Sequence, residues 1–453
     1  MKNFSKFYFT KFEFDKSNLK AKFYYSFDNE VFFDEVIDFS SEKFNLRNDI
    51  DSEVLENMLF NIHIALGISY YKAFPTENLV LESGLLDDNQ IIFWKKFYTG
   101  GLGEFLYTNK IKHQNLFNFI NASNKKYTKK DFKVRKKSLV ALGGGKDSIV
   151  SMELLNNAGL EFDLCVFGKN DILKQNVANA SGRKILLIKR QISPTLFELN
   201  NRGYYNGHVP ITGIIAFVLE LVAYIYDYKY IVLSNEKSAN FGNTTWNGID
   251  INHQYSKSLE FEVDFKKYVE NYITGSVKYF SLLRGFYEIK IAKLFSSLGK
   301  KYFSVFSSCN NNFKIINLSE QNINKVWCNK CPKCAFVFSI LRPYLNNNEI
   351  LEIFGEDLFE KKELKNLFKE LLGIKGIKPL ECVGEAEEVI YSMYKSINKY
   401  SSNGLPIILD IFTKEVLNKL DSKKIKNLEK KFVTIDDEDI IPKEFKKLIF
   451  KSK

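Results

Sequence analysis

The chain has 453 residues, 45% of them hydrophobic and 15% aromatic, which excludes an extended disordered protein and allows two or three domains around a sizeable core. Only seven of its 65 basic residues are arginine and the lysines are scattered, so the net charge of +11 does not make a nucleic-acid interface, and nucleic acid is not an expected partner. No apolar run reaches the roughly eighteen uncharged residues of a membrane span, and the start MKNFSK has no apolar signal segment, so the expected location is the cytoplasm, without a membrane partner.

Residues 6–39 alternate, with Phe7, Phe9, Phe12, Phe14 and then Phe23, Tyr25 and Phe27 recurring around the turn residues 15–18, which predicts a β-hairpin. From Ser52 the period lengthens: Val54, Leu55, Met58, Leu59, Ile62 and Leu66 predict a helix that runs to about Ala73 and stops before Pro75. His63 lies on its apolar face and reads as a packed core residue. A polar, basic stretch at 121–137 reads as a linker into a strand at Leu139. Strands at 163–167, 184–189 and 230–233 then alternate with helices at 171–180 and 211–226, and such alternation predicts a parallel sheet covered by helices. From 346 onward Leu, Lys and Glu recur at helical spacing. The fold class is therefore α/β, a parallel sheet with flanking helices, organised as an α+β region at 1–125, a nucleotide domain at 126–345 and a helical region at 346–453.

The strand at Leu139 turns through Gly143, Gly144 and Gly145 into a helix. Glycines let the backbone approach an anion, and the free amides of the helix start point at it. Lys146 adds a positive charge and Ser148 a hydroxyl, whereas Asp147 beside phosphate calls for a divalent cation, Mg2+, between them. The Walker spacing fails, because no glycine lies five positions before Gly145, and the dinucleotide fingerprint fails at Asp147 and Ser148. GGGKDS at 143–148 resembles instead the Ser-Gly-Gly-x-Asp-Ser pyrophosphatase loop of enzymes that split ATP into AMP and pyrophosphate, the adenine nucleotide α-hydrolase-like, PP-loop type. Gly143 stands where that pattern has Ser.

Other groups cluster farther along. Ligands in open α/β sheets bind beyond the carboxyl ends of strands, where Gly143, Gly168 and Ser234 all fall. The polar segment 234–258 overhangs that crevice, and its His253, with His208, is placed for proton transfer. Arg183, Arg190, Arg202, Arg284 and Arg342 fall in or beside the nucleotide domain, as phosphate or carboxylate forks or as surface pairs. Cys309, Cys328, Cys331 and Cys334 carry metal-ligand spacing; a structural zinc ion, an iron–sulfur cluster and unligated core thiols all fit it. Glu381 and Cys382 precede a helix near Ala386 and make a candidate acid/base pair, unless Cys382 is only a small buried hydrophobe.

Five blocks in order, GGGKDS at 143–148, SNEKSAN at 234–240, NHQYSKS at 252–258, WCNKCPKCAFVF at 327–338 and KPLECVG at 378–384, resemble the UDP-N-acetylmuramoyl-L-alanyl-L-glutamate epimerase family of peptidoglycan synthesis. The resemblance implies ATP- and Mg2+-dependent inversion of the terminal L-Glu of a UDP-muramoyl dipeptide through an acyl adenylate, with release of AMP and pyrophosphate. On that basis Gly143 to Ser148 hold ATP, Asp147 serves activation, and His253, Cys382 and Glu381 are the candidate proton-transfer groups. Two alternatives use the same fold: a tRNA-modifying enzyme that adenylates a base, and a nucleotide-binding regulator that makes no AMP.

Overall fold

The computed structural model describes residues 2–169, 171–313, 326–400 and 404–451. The alternating start of the chain forms three antiparallel strands rather than one hairpin: β1 (Lys6–Asp15), β2 (Lys20–Phe27) and β3 (Val31–Asp38). Phe7, Phe9, Phe23, Tyr25, Phe27 and Ile37 are buried from one face while Lys11, Glu13 and Asp15 stay in water. Asp15 closes the first turn by accepting from the amides of Ser17 and Asn18 at 2.9 and 3.1 Å, and Leu19 turns the corner at φ 51°.

The remaining strands are β4 (Asn78–Leu81), β5 (Asn118–Asn121), β6 (Arg135–Ala141), β7 (Phe162–Phe167), β8 (Ile185–Gln191), β9 (Tyr228–Leu233), the small hairpin β10 (Thr244–Trp246) and β11 (Ile249–Ile251), and β12 (Lys278–Ser281). Ten of them make one sheet in the order β12-β9-β6-β7-β8-β3-β2-β1-β4-β5. From β12 to β8 every neighbouring pair is parallel. The chain leaves β6 toward β7 and β8 on one side and returns to β9 and β12 on the other, so β6 sits at a topological switch point, where a crevice opens beyond the carboxyl ends. The amino-terminal meander is joined to this parallel set by antiparallel pairing of Val36, Ile37 and Asp38 with Gln191, Arg190 and Lys189. No local pattern predicts that pairing, and it carries the sheet across residue 125.

Alternate side chains along the parallel strands feed two cores. Leu139, Ile188 and Ile231 point to the side that holds the helices Ser52–Tyr71 and Ile211–Tyr226, and Val140, Leu164 and Val232 point to the other. Both helices are buried nearly throughout. A Cβ on Gly67 would lie 2.3 Å from Phe9, so glycine there lets the first helix close on the sheet. His63 is a core residue as expected, its ring nitrogens each 3.0 Å from Ser83 Oγ and the Tyr24 carbonyl, and burial presses it down to about 3. The second core packs the helices Lys146–Asn157, Glu288–Leu298 and Pro332–Leu341 with the helical carboxyl-terminal region. That region folds back on the sheet: Asp436 N donates to Gly285 O at 3.2 Å, Lys237 pairs with Asp436, and the Tyr230 hydroxyl meets Glu444.

The rare arginines are spent on this architecture. Arg190 pairs with buried Glu35, Arg284 with buried Glu262, Arg342 bonds Tyr400 and Asn347, and Arg183 bonds the Phe162 carbonyl and Asn156. None of these four faces the crevice as an anion fork. Among the described residues no helix is long and apolar enough to cross a membrane.

Glu220, inside Ile211–Tyr226, is buried with neither carboxyl oxygen hydrogen-bonded among the described residues, and burial pushes it up to about 8. A carboxyl raised above its unfolded value contributes stability that is full below about pH 4.5 and is lost as pH rises through about 8. Glu220→Gln is therefore expected to be stabilising at pH 8 relative to pH 5, by up to about 3–4 kcal/mol. Denaturant melts of both proteins at the two pH values check it; an equal difference at both would refute it.

Candidate active site

Strand β6 ends at Ala141, and residues 142–145 carry the chain into the helix Lys146–Asn157. Gly144 takes φ 85°, a left-handed conformation open to glycine, and its carbonyl accepts from Ser307 N at 3.1 Å. Gly145 is the N-cap and no side chain caps this helix, so its first amides face the crevice at the switch point. A Cβ on Gly145 would fall 2.5 Å from Ser308 Oγ, which explains a glycine there at ordinary φ. Ser148 Oγ donates to Gly145 O at 3.0 Å and so sits at the same turn.

Lys146 is not at the mouth of this loop. Its side chain is fully buried and its ammonium pairs with Glu288 and Asp147, while Lys333 Nζ lies 3.4 Å from the other Glu288 oxygen. Burial raises the Glu288 carboxyl, but Lys146 and Lys333 outweigh it and hold it ionised. Glu236, just after β9, is pushed up to about 7 by burial and then by Glu288 and Asp147. Glu388 is likewise pushed up to about 7 by burial and Glu288. The crevice floor is thus a crowd of carboxylates that share too few cations.

One side of the crevice is built by the segment 234–258 and the loop 378–384. Asn243 Nδ2 donates to Pro379 O at 2.8 Å, Gln254 Nε2 to Val383 O at 3.4 Å, and Lys378 Nζ to Phe241 O at 3.3 Å. This docking brings Cys382 against two cations. Lys257 Nζ is 3.2 Å from Cys382 Sγ, and His253 lies close enough to act electrostatically on the same sulfur. His253 donates through Nδ1 to Glu104, which comes from the helix Gly103–Thr108. His208 packs on His253 with ring centroids 4.5 Å apart and the planes tilted by 44°, and lies 3.8 Å from Glu104.

The electrostatics follow from these contacts. Burial pushes the Cys382 thiol up, yet Lys257 and His253 outweigh it and bring it down to about 5. Burial lowers His253, but Cys382 and Glu104 raise it to about 9, whereas burial and the neighbouring His253 charge press His208 down to about 4. At neutral pH this is a thiolate–imidazolium pair with a neutral histidine packed against it. Lys257 loses from burial and gains more from Cys382, then Glu236 and Asp147, so its ammonium is held and lies between the thiol and the glycine loop. Glu381 is differently engaged: its carboxylate accepts from Asn310 Nδ2 at 2.6 Å, and burial raises it.

The four clustered cysteines converge. Cys309 and Cys331 are 4.0 Å apart at Sγ, Cys328 and Cys334 3.7 Å, and Cys331 and Cys334 3.5 Å, with all four sulfurs within 4.8 Å of one another. A zinc ion about 2.3 Å from four thiolates would set sulfur–sulfur edges of about 3.8 Å, so the set fits one tetrahedral ion.

A family model described as the MurL N-terminal domain matches residues 1–282, and one described as the MurL C-terminal domain matches residues 305–426. The chain belongs to the MurL family. Three relatives carry the name UDP-N-acetyl-alpha-D-muramoyl-L-alanyl-L-glutamate epimerase. That of Xanthomonas oryzae pv. oryzae is 33% identical over 85% of this chain and 84% of its own length. Those of Micromonospora sp. and Salinispora tropica are 37% and 35% identical over 76% and 85% of this chain, and 76% and 84% of their own lengths. The chain is accordingly an enzyme of the isomerase class, an epimerase. Within the MurL frame the N-terminal match contains Glu104, the glycine loop, His253 and Lys257, and the C-terminal match contains the cysteine set and Cys382. The site therefore forms only where the two parts meet.

Glu104, Lys257, Glu236 and Glu288 are not singled out by sequence reading. Lys257 and Glu236 lie inside quoted polar blocks, where charge next to a titratable partner could have marked them; Glu104 and Glu288 carry no local signal at all. The thiolate assignment is testable by alkylation. Cys382, half-buried, is expected to react with iodoacetamide at a rate that plateaus above about pH 6, and Lys257→Met to raise that midpoint by about 1–3 pH units. Peptide mapping of alkylation against pH checks it, and an unchanged midpoint in the variant would contradict the assignment.

Proposed function

We propose that the enzyme inverts the terminal L-Glu of UDP-MurNAc-L-Ala-L-Glu after activating its carboxylate as an acyl adenylate, with ATP as co-substrate and pyrophosphate and AMP as products. The substrate is that printed in the names of the three relatives. The observation that carries the reading is Lys257, one ammonium that faces both the Cys382 thiol and the carboxylates beside the glycine loop. It couples an anion-binding helix start to a proton-transfer cluster. We read the five parallel strands with the loop at their switch point as a PP-loop fold.

A free carboxylate protects its own α-proton, because deprotonation would place a second negative charge beside the first. Adenylation removes that charge, and the glycine turn is suited to the activating step: open amides and Ser148 receive the departing pyrophosphate. Lys146 organises this turn from beneath by fixing Asp147 and Glu288. Asp147 and Glu236 would hold a magnesium ion, whose charge neutralises phosphate oxygens; the raised Glu236 carboxyl, crowded by Glu288 and Asp147, fits a divalent partner. Inversion at Cα then falls to the cluster of Cys382, His253 and Glu104, with His208 kept neutral beside it. The cysteine set fits a structural zinc ion that would pin Cys309 and residues 328–334 next to the loop, where Ser307 bonds Gly144.

Asp147→Ala is expected to lower pyrophosphate release in the presence of the UDP-muramoyl dipeptide, ATP and Mg2+ by at least about 100-fold, with unchanged circular dichroism. Release at the parental rate would reject the loop assignment. The same assay with tRNA in place of the dipeptide tests the base-modifying alternative, and absence of AMP with either tests a regulator. For the cysteine set, protein purified without added metal is expected to carry about one equivalent of zinc, and Cys331→Ser to lose it. Elemental analysis that finds less than half an equivalent of zinc or iron would reject a metal there.

A further inference from the structure

We infer that Cys382 is a nucleophile that takes the glutamyl group from the adenylate as a thioester before Cα is inverted. The inference rests on the activation reading above. In the step, Cys382 Sγ attacks the activated carbonyl carbon, the C–S bond forms, the bond from that carbon to the bridging phosphate oxygen breaks, and AMP departs with its electron pair. Water later cleaves the thioester, returning carboxylate and thiolate and releasing two protons.

The geometry is that of an activated nucleophile: a thiol bonded by a lysine, a histidine close beside it, and a carboxylate bonded to Nδ1 of that histidine, drawn from three distant segments. Lys257 Nζ, 3.2 Å from Sγ, adds a second cation and faces the loop where the adenylate would form. A group ionised from about pH 5 is a strong nucleophile at neutral pH and a weak base toward a carbon acid. Nor is there a second thiol to share proton exchange across Cα: Cys165 is buried in the core and the other four cysteines are gathered in their own cluster.

Charge bookkeeping favours the same order of events. While Sγ is anionic, it and Glu104 hold His253 as imidazolium, unable to act as a base. Acylation removes the sulfur charge, so the proton facing the sulfur leaves with AMP or to water, and the neutral ring can then accept the Cα proton while Glu104 keeps its Nδ1–H. A thioester also acidifies that proton more than a carboxylate does, and survives long enough for inversion because the activated phosphate has already gone. Glu104 is a positioning residue in this scheme.

The test uses the full chain with ATP, Mg2+ and the UDP-muramoyl dipeptide, quenched in acid within the first turnover. Mass analysis is expected to find the substrate less one water on the peptide bearing Cys382, removable by neutral hydroxylamine. Cys382→Ala is expected to release pyrophosphate in one burst while AMP release and deuterium exchange at Cα fall by more than about a thousandfold. A small alkylthiol should restore AMP release in this variant and yield the free thioester of the substrate. Cys382→Ala that releases AMP at the parental rate, with or without loss of deuterium exchange, overturns the inference, and so does alkylthiol that yields no thioester. Absence of pyrophosphate release in the parental enzyme would instead reject the activation reading itself.

Discussion

A single buried ammonium organises the crevice. Lys146 lies at the first turn of the helix that follows the glycines, yet points inward to Glu288 at the start of the helix after the last parallel strand, and sideways to Asp147. The helices that follow β6 and β12, strands separated in the sheet by β9, are thereby tied together at the carboxyl ends of the strands. Such a pair adds little net stability against an apolar replacement, but removal of one partner strands a buried charge at a cost of about 3–5 kcal/mol. Its contribution is to position: Asp147 is aimed, Glu288 is neutralised, and the acidity of Glu236 and Glu388 is set by what Glu288 has left over.

From that anchor the rest of the crevice follows as a distribution of too few cations among many anions. Lys146 and Lys333 serve Glu288, Lys257 serves Cys382 and reaches toward Glu236 and Asp147, and His253 is charged because a thiolate and Glu104 flank it. A change at any one is felt at the others, since low dielectric lets these charges interact beyond contact. The glycine loop and the thiol–imidazole pair are for this reason one electrostatic unit.

What was legible in the sequence is what is local. Three glycines between an apolar strand and a helix declare a turn, and Cys-x-x-Cys-x-x-Cys declares convergence, because in both cases the interacting groups are neighbours along the chain. The helix Ser52–Tyr71 and the alternation of strands and helices after 139 were legible for the same reason. The four-residue strands β4, β5 and β12 are too short to show a period, and the antiparallel join of β3 to β8 is a pairing across more than a hundred residues that no window contains. Lys146 reads in sequence only by its neighbours in the glycine turn; its partner Glu288 is supplied by tertiary structure. Glu381 and Cys382 read as a pair because they are adjacent, whereas the fold turns one to Asn310 and the other to Lys257.

The layout of the sheet has one more consequence. Its longest strand, β1, lies inside, and both rims are four-residue strands: β5 carries asparagine at each end, and β12 is flanked by the returning carboxyl-terminal segment that lays Asp436 on Gly285. Open rims of a ten-stranded sheet are templates for strand addition from another chain, and short, polar or covered rims offer little length to add to. The terminal segment that sequence composition presents as a plain run of helices thus also shields one rim of the sheet, so that a chain cut short before residue 436 would carry an intact glycine turn and a newly exposed invitation to aggregate.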